Sequence, residues 1–461
     1  MPRLYPFLLA AGFLLGATTL ASAQFGGPPI LPSEGFRKDP APLAPARPIL
    51  ARPGTTSTSA VLTPKLAVVW DSPDPTYDEG TIDRLAAALR LYGEIEARGG
   101  WPSVPAALTK LTLGASSPDV AVLRQRLAIT GDLAAGAAAG EAFDQAVVDG
   151  LKRFQLRHGL TPTGTVGTQT LAALNVPVDK RVRQLSASYE RLAATTFSFG
   201  QRYVVVNIPA AVAEAVAGGK VEHRYVAVVG KPDRPSPTVT TFITTVNLNP
   251  TWTVPLSIAK KDIVPKMAKD PTYLARLHMR LLDAAGGEVD PAAVDWKTGA
   301  APSYTVRQDP GAWNSLGYLR IDMPNPHSVY MHDTPHRELF GGDYRFHSSG
   351  CARIGDVRAL AAWLLQDNPG WGRREIDAGI ANGARTDIRL THAVPVAWIY
   401  LTGWAMHDGT VHFRNDIYNH DAVPEKRFMV SLERPPALTR SFSLQSAEPE
   451  KLNEVSYLDS R

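Results

Sequence analysis

Cys351 is the only cysteine in a chain of 461 residues. It stands in the run Ser348-Ser349-Gly350-Cys351-Ala352-Arg353-Ile354, just ahead of the apolar stretch DVRALAAWLL. A thiol flanked by Ser and Gly at a turn, and followed by a helix, is placed where backbone N–H groups and a helix N-terminus can favour a thiolate. His332 ends the strand-like stretch SVYMH, 19 residues before the cysteine. The excursion HRELFGGDYRFH is long enough to return the chain to the same neighbourhood, where His332 could take the thiol proton. Tyr330 shares a strand face with His332 by the two-residue period, and could pack there or hydrogen-bond a substrate. One cysteine excludes an intrachain disulfide and any metal site built from several cysteines of one chain. By itself the pattern also fits an inert core thiol near one of 11 histidines.

The elements that would position this pair are legible in outline. Residues 1–23 carry Arg3, an apolar run from Leu4 to Leu20 and Ala21-Ser22-Ala23, the pattern of a cleavable signal peptide. An exported, periplasmic protein follows, with no transmembrane segment in the mature chain. Residues 24–62 are a Pro/Ala-rich linker without period. Residues 63–180 read as a helical scaffold. TIDRLAAALRLYGEIEARGG has helical spacing and ends at Gly99-Gly100. Within 115–176, Val120, Leu123 and Leu127 mark one helix, and Phe143, Val147, Leu151 and Phe154 a second that Gly159 stops. The segment GDLAAGAAAGE (131–141) departs from a compact module and is expected to loosen its binding face. A connecting helix over 178–200 leads to β-rich sequence from Arg202, within a domain spanning 200–420. Residues 255–308 interrupt those strands with a helical pattern, expected to form a cap over a groove. Residues 421–461 read as a polar tail. The whole is a multidomain α+β protein, and the charge of +4 is too mild for a nucleic-acid stripe.

The stretches VAVLRQRLAITGD, AVVDGLKRFQLRHGLTPTG and VGTQTLAALNV resemble a three-helix peptidoglycan-binding module. His332, the excursion and Ser348-Ser349-Gly350-Cys351 with Arg353 resemble the L,D-transpeptidase (YkuD) family. The runs NPTWTVPLSIAKKDIVPK and NSLGYLRIDMPN extend the resemblance to its large periplasmic branch, which carries an inserted cap. Many members have His where this chain has Ser349, which argues against an essential proton-transfer role at that position.

The resemblance implies Cys351 as nucleophile and His332 as its base. Backbone N–H groups around Ser349, Gly350 and Cys351 would form the oxyanion hole or shape its loop. Arg353 would orient a carboxylate or organise the loop. Tyr330, Asn314 and Trp313 are candidates for substrate binding, and Trp252 and Lys260 sit at the edge of the insertion. His336 and His347 read as loop histidines. Asp333 is assigned a turn, and a backbone carbonyl is a candidate to orient His332. The implied partners are peptidoglycan stem peptides, donor tetrapeptide and acceptor amine, with cell-wall synthesis proteins as possible company. No cofactor or metal is implied. The expected reaction is transpeptidation with release of D-Ala and formation of 3–3 cross-links. An L,D-carboxypeptidase, another linkage, or a noncatalytic wall-binding protein are the alternatives.

Overall fold

The computed structural model describes residues 66–422, apart from Val68 and 298–302. The expected leader and linker, and the tail beyond residue 422, lie outside the described residues.

The described chain is helical up to Ala193. Ser117 caps the helix Pro118–Ile129 by accepting from the Asp119 N–H at 3.3 Å, with Pro118 at the first helical position. Asp144 caps Gln145–Arg157 through the Val147 N–H at 3.1 Å. Leu123, Leu127, Phe143, Val147, Leu151 and Phe154 are fully buried in one core, as their spacing predicts. The segment 131–141 is anchored to the flanking helices at several points. Arg124 donates to the Ala137 and Ala142 carbonyls at 2.7 and 2.9 Å, Leu133 is buried, and Asp132 is paired with Arg157. The helices Thr81–Ala97 and Val178–Ala193 pack on each other and share a core with the sheet that follows, so they belong to the next domain's outer layer.

That domain has β1 (Arg202–Asn207), β2 (Val212–Ala217), β3 (Lys220–Gly230) and β4 (Val239–Leu248) before the insertion. The insertion contributes β5 (Trp252–Thr253), β6 (Met279–Leu282), β7 (Glu288–Val289) and β8 (Thr305–Gln308). After it come β9 (Leu319–Asp322), β10 (Met331–His332), β11 (Phe346–Ser348), β12 (Ala352–Ile354), β13 (Thr386–Ile399), β14 (Gly403–Ala405) and β15 (Val411–Phe413). The main sheet runs β11-β3-β12-β10-β9-β4-β13-β1-β2, and β2 also pairs with β3, so it closes on itself. Within it β1, flanked by β13 and β2, is buried on both faces. Val204 and Val206 point into one core while Tyr203 and Val205 point into the helix-covered one, which explains the unbroken apolar run of β1.

The cap is not all helical. Short helical turns from Leu256 to Met267 and at Tyr273–Arg276 lie with an antiparallel sheet, order β5-β8-β6-β7, around Ile263, Met267, Leu274, Leu281 and Val306. Pro255, Pro265 and Pro271 break the helical pattern. Residues 279–282 leave it because β8 offers them a ladder and Gly286-Gly287 a turn to β7. Among the described residues no helix is long and apolar enough to cross a membrane.

Candidate active site

The main sheet and the cap enclose a cleft of about 710 Å³. His332, Cys351, Arg353 and Tyr330 line it from the sheet, and Trp252, Tyr273 and Met279 from the cap. Strand pairing brings the two reactive residues together. β10 runs parallel to β12, with Met331 opposite Ala352 and His332 opposite Arg353, and the Ala352 N–H donates to the Tyr330 carbonyl at 3.1 Å. Cys351 is therefore held at the start of β12, one strand from His332.

The nucleophile loop is tied from several sides. Gly350 adopts φ +118°, a conformation that favours glycine. Its N–H donates to Ser348 Oγ at 3.1 Å, and Ser348 Oγ donates to the Cys351 carbonyl at 2.6 Å. Ser236 Oγ donates to the Gly350 carbonyl at 2.7 Å. Ser349 Oγ accepts from Arg234 at 3.1 Å, and Arg234 also holds Asp262 of the cap through its second nitrogen at 2.7 Å. One guanidinium thus bridges cap and nucleophile loop. The Gly350 N–H is already engaged by a side chain of its own loop.

His332 is 5% exposed, and its Nδ1 lies 2.5 Å from the Asp333 carbonyl oxygen. A carbonyl can only accept, so Nδ1 carries the proton and Nε2 keeps its lone pair. The Asp333 carboxylate turns away, accepting from the Tyr318 N–H and from Arg337. Burial, and then the Arg353 and Arg320 charges, push the imidazole down to about 3. Arg320 stands opposite His332 on β9, as Arg353 does on β12. Burial pushes the Cys351 thiol up to about 11, against hydrogen bonds from Tyr330 and the Arg353 and Arg320 charges. The Tyr330 ring meets His332 edge-on at 5.7 Å and lies under Arg320 at 5.3 Å. The resting pair is a thiol beside a neutral imidazole.

Several expectations need correction. The helix after Cys351 begins at Val357 and is capped by Asp356, with β12 between it and the cysteine, so no helix N-terminus abuts the sulfur. Asn314 is fully buried outside the cleft, its amide donating to the Pro250 and Asp309 carbonyls at 3.1 and 2.9 Å and its Oδ1 accepting from the Leu316 N–H. It builds a loop. Trp313 is exposed and stacks on His278 at 3.8 Å, also outside the cleft. Trp252 lines the cleft, but Lys260 does not; its neighbour Lys261 does. His336 is an exposed loop residue, and His347 lies on the exposed side of β11 against Tyr344. Arg234, Asp262, Ser236 and Arg320 were not singled out from sequence. Arg320 carried a faint signal, a charge inside the strand YLRID; the others carried none, since only the tertiary fold brings them to the loop.

Arg353 and Arg234 both leave an Nε buried in the cleft wall without a hydrogen-bond partner, but Arg234 spends its other nitrogens on Asp262 and Ser349, whereas no hydrogen bond engages the Arg353 side chain among the described residues. Lys261 and Lys266 add positive charge, while Asp262 is engaged by Arg234. Such a cleft suits an anionic ligand.

Residues 201–381 match the family model described as the L,D-transpeptidase catalytic domain, and residues 116–174 that described as "Putative peptidoglycan binding domain". The chain is 33% identical over 220 residues to a protein of Haemophilus influenzae named "Putative L,D-transpeptidase", a stretch that is 47% of this chain and 44% of that one. The chain thus spans less than half the length of that curated relative. Among solved structures it is similar to an L,D-transpeptidase from Mycobacterium smegmatis (16% identity, TM-score 0.22, 43% of this chain and 58% of that one). Another is an L,D-transpeptidase from Stackebrandtia nassauensis (12% identity, TM-score 0.24, 63% and 95%).

Proposed function

From a chain that carries the catalytic domain of the YkuD L,D-transpeptidase family beside a peptidoglycan-binding domain, we infer an exported enzyme that cross-links peptidoglycan stem peptides through a Cys351 thioester. The carrying observation is the placement of Cys351 beside His332 in one cationic cleft, with the imidazole lone pair on Nε2. The sulfur attacks the carbonyl carbon between the L-centre of the third stem residue and the terminal D-Ala, and the thiol proton passes to His332 Nε2. The Cys351 N–H stabilises the oxyanion. As the C–N bond breaks, His332 returns the proton to the departing D-Ala amine, leaving a thioester. An acceptor amine then attacks, His332 takes its proton, and the thiolate leaves and is reprotonated. Arg353 holds a donor carboxylate. With the third-residue amine of a second stem as acceptor, the product is a 3–3 cross-link. The work is done in the periplasm.

The test is mass spectrometry of products formed from disaccharide-tetrapeptide by the wild type and by Cys351→Ala. The wild type should give dimers and free D-Ala, and the variant neither. Tripeptide monomers alone would replace transfer with hydrolysis. Dimers made by Cys351→Ala would remove the nucleophile assignment.

A further inference from the structure

Between the helical peptidoglycan-binding domain and the catalytic domain lies a second cavity, of about 270 Å³. His158, Gly159 and Gln169 line it from one side, and Tyr344, Phe346 and Arg414 from the other, with Arg181 in its wall. The seam around it is unusual for its charge. Arg126, Arg157, Arg181, Arg345 and Arg414 are all at least nine-tenths buried. Of these, only Arg157 has an ion-pair partner among the described residues, Asp132 at 2.5 Å. Buried cations ordinarily have counter-charges, because desolvation without one is expensive.

Two of the unpaired cations reach the cavity. Arg181 is 5% exposed; it donates to Gln184 Oε1 and the Ala173 carbonyl at 2.8 and 3.1 Å, sits over the Phe413 ring at 4.7 Å, and has an Nε with no acceptor. Arg414 donates only through Nη1, to the Arg157 and Phe413 carbonyls. Its stem lies in the space left by the missing side chain of Gly159, where a Cβ would come within 2.6 Å of Arg414 Nε. The glycine that ends the module's helix therefore also makes room for the guanidinium. At the rim the Asp343 carboxylate is exposed and accepts from Thr161 at 3.0 Å.

We propose that this seam cavity is a carboxylate-binding site that seats an acidic residue of a peptidoglycan stem peptide between the two domains. The proposal rests on the reading that the chain acts on peptidoglycan. Two guanidiniums supply the counter-charge, and Tyr344, Phe346 and Phe413 supply apolar walls. The volume suits the acidic end of a peptide rather than a whole disaccharide-peptide. β11 links the two sites, with Phe346 in this cavity and Ser348 holding the nucleophile loop. A strand seated at the seam would keep neighbouring stems within reach of Cys351.

The test is cosedimentation of the mature chain with sacculi carrying tripeptide stems, either native or with their carboxylates converted to carboxamides. Arg181→Gln removes one cation, and Ala172→Trp, at an exposed position on the cavity wall, fills the space without touching an arginine. If Arg181→Gln does not fold, Ala172→Trp decides. Loss of charge-assisted hydrogen bonds predicts binding weakened about tenfold by either variant, and by amidation for the wild type. Acylation of Cys351 by a carbapenem should be unchanged in both variants. A loss below about fivefold on native sacculi, or equal binding of amidated sacculi, overturns the site. Absence of Cys351 acylation in the wild type counts against the functional reading instead.

Discussion

Replacing Arg353 by Gln should move the acid limb of Cys351 acylation upward. Arg353 stands opposite His332 across one strand spacing and, after burial, is the largest influence depressing the imidazole. At a separation of roughly 7 Å and an effective dielectric of about 20, one unit charge is worth about 2.4 kcal/mol, or about 1.7 pKa units. Removing it raises His332 from about 3 to between ~4 and ~5. Burial keeps it below the ordinary histidine value. A base is active while unprotonated, so the wild-type rate should be flat from pH 7 down to 4, whereas Arg353→Gln should lose rate on going from 5 to 4. The assay is the second-order rate of carbapenem acylation, followed by intact mass at each pH. Arg353 also binds the ligand's carboxylate on the proposed reading, so its loss lowers the whole curve. The position of the limb reports only the charge beside His332. Arg353→Lys should restore the flat profile. A Gln variant as flat as the wild type would refute the electrostatic coupling.

Gly350→Ala should slow acylation by roughly a hundredfold, because an L-residue at φ +118° forces the loop to shift and displacements near 1 Å cost that much. A Cβ there meets nothing closer than 3.5 Å, so the loss is one of backbone conformation; an unchanged rate in a folded variant would contradict it. Asp132→Asn should destabilise the chain by about 3–5 kcal/mol in urea unfolding, since it leaves Arg157 buried without its counter-charge. A loss below about 1 kcal/mol would mean that neighbouring groups already carry that charge.

The parts of this molecule that were legible in the sequence are those governed by local periodicity or by spacing along the chain. Leu123, Leu127, Phe143 and Phe154 lie on the buried helix faces their spacing predicts, and the excursion from His332 does return to Cys351. What escaped depends on pairing between distant segments. Residues 279–282 look helical beside LARLH, and become a strand only because Thr305–Gln308 lies alongside. Asn314 resembles a groove residue by position, but its amide is spent on two backbone groups of its own loop, at Asp309 and Leu316, and on the Pro250 carbonyl of a distant segment. Arg234 follows a strand in GKPDRPSP, and nothing local announces that it will join Asp262 to Ser349.

The electrostatics of the pair bear on how a lone thiol is kept usable. A thiolate is the reactive form toward oxidants as well as substrates. With burial raising Cys351 to about 11 and lowering His332 to about 3, the resting site holds almost no thiolate at neutral pH, and an oxidant meets a poor nucleophile. On the proposed mechanism the same shifts oppose catalysis, because Arg353 and Arg320 disfavour the imidazolium that would form as the sulfur attacks. A donor carboxylate seated on Arg353 would cancel part of that charge and strengthen His332 as a base at the moment the scissile carbonyl arrives. On this argument substrate binding and base strength are one event. Small neutral electrophiles, which leave Arg353 unpaired, should therefore react with Cys351 far more slowly than anionic ones of equal intrinsic reactivity.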